Sequence, residues 1–273
     1  MSTGAKTLQQ FFPATSQPLI CNAPMAGATN ARMAVAVTQA GCLVDLRHVD
    51  TNAPLPIGVG CLTMKSDAWK DNFVELTTGR GWGLKVIVQV GTVESAKEAV
   101  EDGADILSVQ GSDAGGHQFK QGASLMTLLP DVSDMLKREY PEKNVPLLAA
   151  GGVMDGRGLA ATLMLGASGI VMGTRFLCTT ECPVSDQVKD TLIASHDGAS
   201  STLKSRVHDD IQGKSEFWPS QYSGRAIVSD VHRESDAELD KHKDLDIVRA
   251  ASSIFGLALE LDRLDSSWML APW

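Results

Sequence analysis

The chain has 273 residues, 43% of them apolar, and a formal net charge of -9. That length supports one large domain with a sizeable core, and the acidic balance argues against nucleic acid or an anionic membrane as partner, since both call for a basic patch. No apolar run suggests a membrane-spanning helix, and five scattered cysteines, Cys21, Cys42, Cys61, Cys178 and Cys182, read as the reduced thiols of a cytoplasmic protein. Cys178 and Cys182 have no second ligand pair nearby, so no metal is expected.

The opening residues, MSTGAKTLQQFFPATSQ, read as a short disordered lead-in. QPLICNAP (17–24) then reads as a first strand, ARMAVAVTQAG (31–41) as its helix, and CLVDL (42–46) and LPIGVGCL (55–62) as further strands. The rhythm sharpens from residue 84. LKVIVQV (84–90) is a continuous apolar run rich in β-branched residues, as a strand buried on both faces requires. In TVESAKEAVEDG (92–103), Thr92 suits a helix N-cap, Glu94 the positive end and Gly103 the close. ADILSVQ (104–110) is the next strand. ASLMTLLPDVSDMLKREY (123–140) has helical spacing, with Pro130 expected in the first turn. VPLLAA (145–150), GRGLAATLMLGA (156–167, closed by Gly166) and SGIVMG (168–173) repeat the strand, helix, strand order. The result is a parallel sheet with crossover helices. After residue 180 the rhythm ends in a polar tail that closes with an apolar, helix-like stretch from Asp246 to Leu264.

Such a chain forms a closed barrel or an open doubly wound sheet, and both gather polar and glycine residues at the C-terminal strand ends. No GxGxxG follows the first strand, which weakens the open dinucleotide-binding sheet. Two glycine-rich exits late in the chain, AAGG and MGTR, favour the barrel, where the last loops often hold a phosphate. Gly151 and Gly152 have no Cβ to block an anion. Gly173 permits close approach, and Thr174 adds a hydroxyl and a helix start. Each glycine pair is otherwise a tight βα turn.

Gln89 and Gln110 both end apolar strands, where an amide can meet a heterocycle edge or simply bond to backbone. His117 follows Gly115 and Gly116 in SVQGSDAGGH (108–117) and is placed at a strand exit, facing the barrel mouth. An imidazole there can take a proton near neutral pH, or stabilise negative charge when protonated. His48, His196, His208, His232 and His242 lie in polar stretches and read as surface.

NAPMAG, VIVQVGTVESA, VQGSDAGGH, LLAAGG and GIVMGTRF, in this order, resemble the nitronate monooxygenase family, formerly called 2-nitropropane dioxygenases. The resemblance covers roughly residues 18 to 180, and more loosely the tail through WPSQYSGRA. It implies an FMN-dependent barrel that oxidises alkyl nitronates with O2. It implies that His117 is the catalytic base, that Pro24 and Met25 lie beside the flavin ring, and that Gln89, Gln110 and Gly115 contact ring and ribityl chain. Gly151, Gly152, Met172, Gly173 and Thr174 then form the phosphate cradle.

The expected fold is therefore α/β: a TIM-type (β/α)8 barrel, incomplete or irregular in its N-terminal half, with a C-terminal helical extension. The expected divisions are a lead-in at 1–17, an FMN-binding barrel at 18–180 and an extension at 181–273 packed on the barrel. Two departures stand out. Gly60 occupies a position where many relatives carry Asn, and the front half is short. A complete barrel takes about 250 residues, and each parallel crossover takes about 10–12 or more. If FVELTTG (73–79) is a strand, too little chain remains before Leu84 for its helix. The expected partners are a small-molecule substrate and O2, with a homo-oligomer left open. The alternatives are a non-catalytic relative with a trimmed barrel and an NAD(P)H-dependent flavin enoyl reductase.

Overall fold

The computed structural model describes residues 2–13, 15–25, 28–40, 85–211, 213 and 216–228. The strands expected at 42–46, 55–62 and 73–79, the closing stretch 246–264, Gly60, His48, His232 and His242 all lie outside the described residues.

Five strands build a parallel sheet: β1 (Leu19–Asn22), β2 (Ile87–Val90), β3 (Ile106–Gln110), β5 (Leu147–Ala150) and β6 (Gly169–Met172). Their spatial order is β1-β6-β5-β3-β2. From β2 to β6 neighbours follow the chain, and then the first strand pairs with the last, Leu19 opposite Gly169 and Asn22 opposite Met172. A first strand beside the last is the seam of a closed barrel; doubly wound sheets place their first strand inside the order. The described strands form an arc of a TIM-type barrel, the alternative that the two glycine-rich exits favour.

The period of two divides the strand residues between two faces. Leu107, Val109, Leu147, Ala149 and Ile170 pack outward under the helices Val93–Glu101 and Leu125–Glu139. Leu19, Ile106, Leu148, Ala150 and Val171 form a second cluster on the inner face. Helix ends follow their sequence signals. Thr92 and Ser95 form a capping box, Asp155 caps the helix Gly156–Met164, and Gly103 and Gly166 turn with φ of 91° and 109°.

Pro130 departs from expectation. It lies inside the helix Leu125–Glu139 rather than in its first turn. The helix starts earlier because Leu125 N–H donates to the Asp113 carboxylate at 2.7 Å. Leu125, Leu128, Leu129, Val132, Met135 and Leu136 then bury one face through the proline, which outweighs the single backbone bond that proline removes.

The lead-in also differs. Thr3–Phe11 is an α-helix, with the Ser2 hydroxyl accepting from Ala5 N–H at 3.2 Å. Leu8 is fully buried and joins the inner-face cluster. The Thr7 hydroxyl accepts from the Asn144 side chain. A polar sequence hid this helix because only Thr7 and Leu8 are buried.

A second sheet joins distant segments: β4 (Gly116–Phe119), β7 (Thr202–Ser205) and β8 (Tyr222–Ile227), antiparallel, in the order β4-β8-β7. Among the described residues no helix is long and apolar enough to cross a membrane.

Leu8→Ala will lower stability by about 2–5 kcal/mol, the usual cost of an emptied aliphatic site. Urea unfolding checks this; an unchanged midpoint would show that the helix does not seal the inner face.

Candidate active site

The C-terminal ends of the parallel strands converge on one rim. Beyond β1, the Ala23 N–H donates to the Met172 carbonyl at 2.9 Å, so the chain carrying Pro24 and Met25 runs beside the β6 exit. Gly173 lies next to it: a Cβ there would stand 3.7 Å from Ala23 Cβ and Met25 Sδ, an ordinary contact. Thr174 opens the short helix Thr174–Leu177. Asn22, the last residue of β1, has a buried Oδ1 that accepts no hydrogen bond among the described residues.

Gly151 and Gly152 follow β5 with φ of 108° and 69°, the left-handed region that glycine tolerates best. Their neighbour is the loop after β3. A Cβ on Gly151 would stand 2.8 Å from Ala114 Cβ, and one on Gly152 3.4 Å from Asp113 Cβ. The Gly111 N–H donates to the Ala150 carbonyl at 3.0 Å and ties the two exits together. Asp155 beyond them is held at about 2 by the Arg157 guanidinium and backbone.

On the other side of the rim, Gln89 Nε2 donates to Gln110 Oε1 at 2.9 Å, and Gln110 Nε2 to the His117 carbonyl at 3.4 Å. His117 therefore stands over the exits of β2 and β3, but as part of β4, paired with Gly224 of β8, rather than on a free loop. Three contacts fasten this small sheet to the barrel. Phe119 packs where a Cβ on Gly91 would be. Gln118 Nε2 donates to the Ala114 carbonyl. Arg225 donates to the Ser112 carbonyl at 3.4 Å and to the Thr202 hydroxyl at 3.0 Å. Lys204 donates to the Phe119 carbonyl at 2.8 Å. Burial, then repulsion from Arg225, lowers its pKa.

The His117 ring has a defined seat. It stacks on Trp218, with centroids 3.7 Å apart and planes at 10°, a contact worth about 0.5–1.5 kcal/mol beyond area burial. Its Nε2 lies 2.8 Å from Oδ1 of Asp209, whose side chain is 3% exposed. The other Asp209 oxygen is buried and accepts nothing among the described residues; such a group typically costs about 1–3 kcal/mol.

The rim thus holds every sequence-derived candidate in two neighbouring groups. Pro24, Met25, Met172, Gly173 and Thr174 gather at the β1/β6 exits. Gln89, Gln110, Gly115 and His117 gather at the β2/β3 exits, with Gly151 and Gly152 between. Sequence reasoning missed Asn22, Asp209 and Trp218. His208, read as surface, is 7% exposed, and its Nε2 lies 3.1 Å from the Leu203 carbonyl; His196 is exposed, as read. Among the described residues no group of three or more His, Cys, Asp or Glu is placed to hold a metal.

Known proteins share both sequence and fold. A family profile described as nitronate monooxygenase matches residues 67–236, more than half of the chain. A nitronate monooxygenase of Neurospora crassa is 45% identical over 145 residues, which cover 53% of this chain and 38% of that protein. Nitronate monooxygenase npaC of Metarhizium robertsii is 30% identical over 295 aligned positions, covering 88% of this chain and 81% of that protein. The solved structure of FabK from Thermotoga maritima superposes with a TM-score of 0.66 at 22% identity, over 93% of this chain and 85% of that one. The chain spans well under half of the Neurospora protein but most of the Metarhizium one. The profile match and the similarity over most of both chains place this chain in the nitronate monooxygenase family.

Proposed function

We propose that the chain is an FMN-dependent oxidoreductase that oxidises an alkyl nitronate, or a related acidic carbon substrate, with O2. The observation that carries this reading is the shared rim. Bare glycine backbone at the β5 and β6 exits stands beside a histidine held at the β2/β3 exits. Family membership supplies the chemistry to test there.

The residues present fit the cofactor. Gly151, Gly152, Gly173 and Thr174 would offer backbone N–H groups to a phosphate; a Cβ at Gly173 would meet only ordinary contacts, while Gly151 packs its Cβ side against Ala114. Pro24 and Met25 would flank the ring, with Gln89, Gln110 and Gly115 along its polar edge and ribityl chain. The Asn22 oxygen, which accepts no hydrogen bond among the described residues, would add an acceptor for a ligand N–H or O–H. Bound FMN would supply the electron transfer between substrate and O2. His117 would take the carbon-bound proton of a neutral nitroalkane, a step that a preformed nitronate has already passed. The Gln89–Gln110 pair, through its bond to the His117 carbonyl, holds the main chain of His117 at the β2/β3 exits.

Purified protein is expected to be yellow and to release FMN, not FAD, on denaturation, because the rim offers one phosphate cradle. Colourless protein that takes up no added FMN would overturn the reading. Gly173→Val should empty the flavin site with little loss of stability. Its φ of -104° accepts a side chain and its Cβ makes only ordinary contacts, but the branched methyls enter the phosphate's space. Undiminished flavin content in that variant would reduce VMGTR to a turn.

His117→Ala should keep the flavin and slow a neutral nitroalkane by about 10²–10⁴-fold, and its nitronate less. Equal losses on both forms would reassign His117 to substrate positioning. Without oxygen, a nitronate should bleach the flavin while NADH and NADPH leave it oxidised. Rapid bleaching by NADPH alone would move the chain to the reductases, and no bleaching by any donor would favour a binding protein.

A further inference from the structure

We propose that Asp209 is the positioning residue of His117: its carboxylate keeps the imidazole proton on Nε2 and so makes Nδ1 the nitrogen that receives the substrate proton. The inference rests on the reading of His117 as a base and adds the group that orients it.

Asp209 comes from the short helix Val207–Ile211, 92 residues from His117, and is the one Asp or Glu buried among the described residues. Its Oδ1 meets Nε2 at 2.8 Å. An ionised carboxylate only accepts hydrogen bonds, so a contact this short requires the hydrogen on Nε2. A neutral imidazole has one N–H, which leaves the lone pair on Nδ1. A half-turn of the ring about Cβ–Cγ keeps the Trp218 stack but puts Cε1 where Nε2 stands, so the Asp209 bond selects the observed orientation. Gly224 lies directly opposite on β8, and a Cβ there would make ordinary contact with the ring, 3.5 Å from Nε2.

The second oxygen of Asp209 is buried and accepts no hydrogen bond among the described residues. A buried anion against Nε2 stabilises the imidazolium formed when Nδ1 gains its proton. The step balances without a further reagent. The substrate C–H bond breaks, its electron pair stays on the substrate as the nitronate, and the proton sits on Nδ1. His117 carries the positive charge opposite Asp209 until that proton leaves to water.

Long-range 1H–15N correlation NMR of the flavin-loaded protein labelled with 15N-histidine tests this, with the His117 signal identified by its loss in His117→Gln. The expected wild-type spectrum shows a neutral ring protonated on Nε2. Asp209→Asn should shift proton density to Nδ1, because the amide can donate to Nε2. It should also slow a neutral nitroalkane by at least about 10²-fold, far more than its preformed nitronate. Asp209→Glu, which restores the carboxylate, should recover part of that rate. A wild-type ring protonated on Nδ1 would overturn the proposal, as would an Asp209→Asn variant with an unchanged His117 spectrum or equal losses on both substrate forms. Should Asp209→Asn fail to fold, the wild-type spectrum alone decides. Should the protein oxidise neither substrate form, the functional reading falls while the spectrum still judges the Asp209 contact.

Discussion

The pairing of β1 with β6 is the constraint on which the rest depends. Four residues on each strand hold it, from Leu19 opposite Gly169 to Asn22 opposite Met172. Gly169 permits it, because a Cβ there would stand 2.5 Å from the Leu19 carbonyl oxygen. Once the first strand lies against the last, the sheet has an inside. Leu19, Ile106, Leu148, Ala150 and Val171 face one another there, and Leu8 of the N-terminal helix joins them. The same pairing carries Pro24 and Met25 to the edge of Gly173. Moved to the middle of an open sheet, β1 would leave the two halves of the rim apart.

The rim is built by two economies. The barrel contributes backbone: glycines with left-handed φ or open Cβ positions, and strand-end amides. The segment after residue 200 contributes the setting of His117, through a strand partner, a stacked indole and a buried carboxylate. Its cations are used on carbonyls. Arg225 ties the small sheet to the Ser112 carbonyl in the loop after β3, and Lys204 of β7 holds the Phe119 carbonyl of β4 within the sheet. Charge-assisted bonds to carbonyls are stronger than neutral ones and suit a joint between two sheets.

Much of this was legible in the sequence where one residue's neighbours are its own chain neighbours. LKVIVQV, ADILSVQ, VPLLAA and SGIVMG became strands, and Thr92, Gly103 and Gly166 became helix ends. The strand-end candidates were legible for the same reason, since the end of a parallel strand is a place in the fold as well as in the sequence. What stayed hidden was set by partners far along the chain. GHQF is too short to announce a strand, and its partner YSGRAI begins a hundred residues later. VHDDI looks like an acidic surface turn until Asp209 is found against His117. The N-terminal helix has a polar composition because it buries one short face, and Pro130 was misplaced because a cap from Asp113 starts its helix early.

The distance between β4 and β8 has a consequence in time. Translation delivers about 5–20 residues per second, so Gly224 leaves the ribosome roughly 5–20 s after His117. All five parallel strands are already made by then, since β6 ends at Met172. Long-range pairing of this kind forms late, because the intervening loop must close before its contacts repay the entropy. A growing chain therefore has its glycine exits well before it has a seated histidine. The glycine exits and the seat of His117 are thus separable stages of biogenesis, and the histidine is fixed only when β8 has paired with β4.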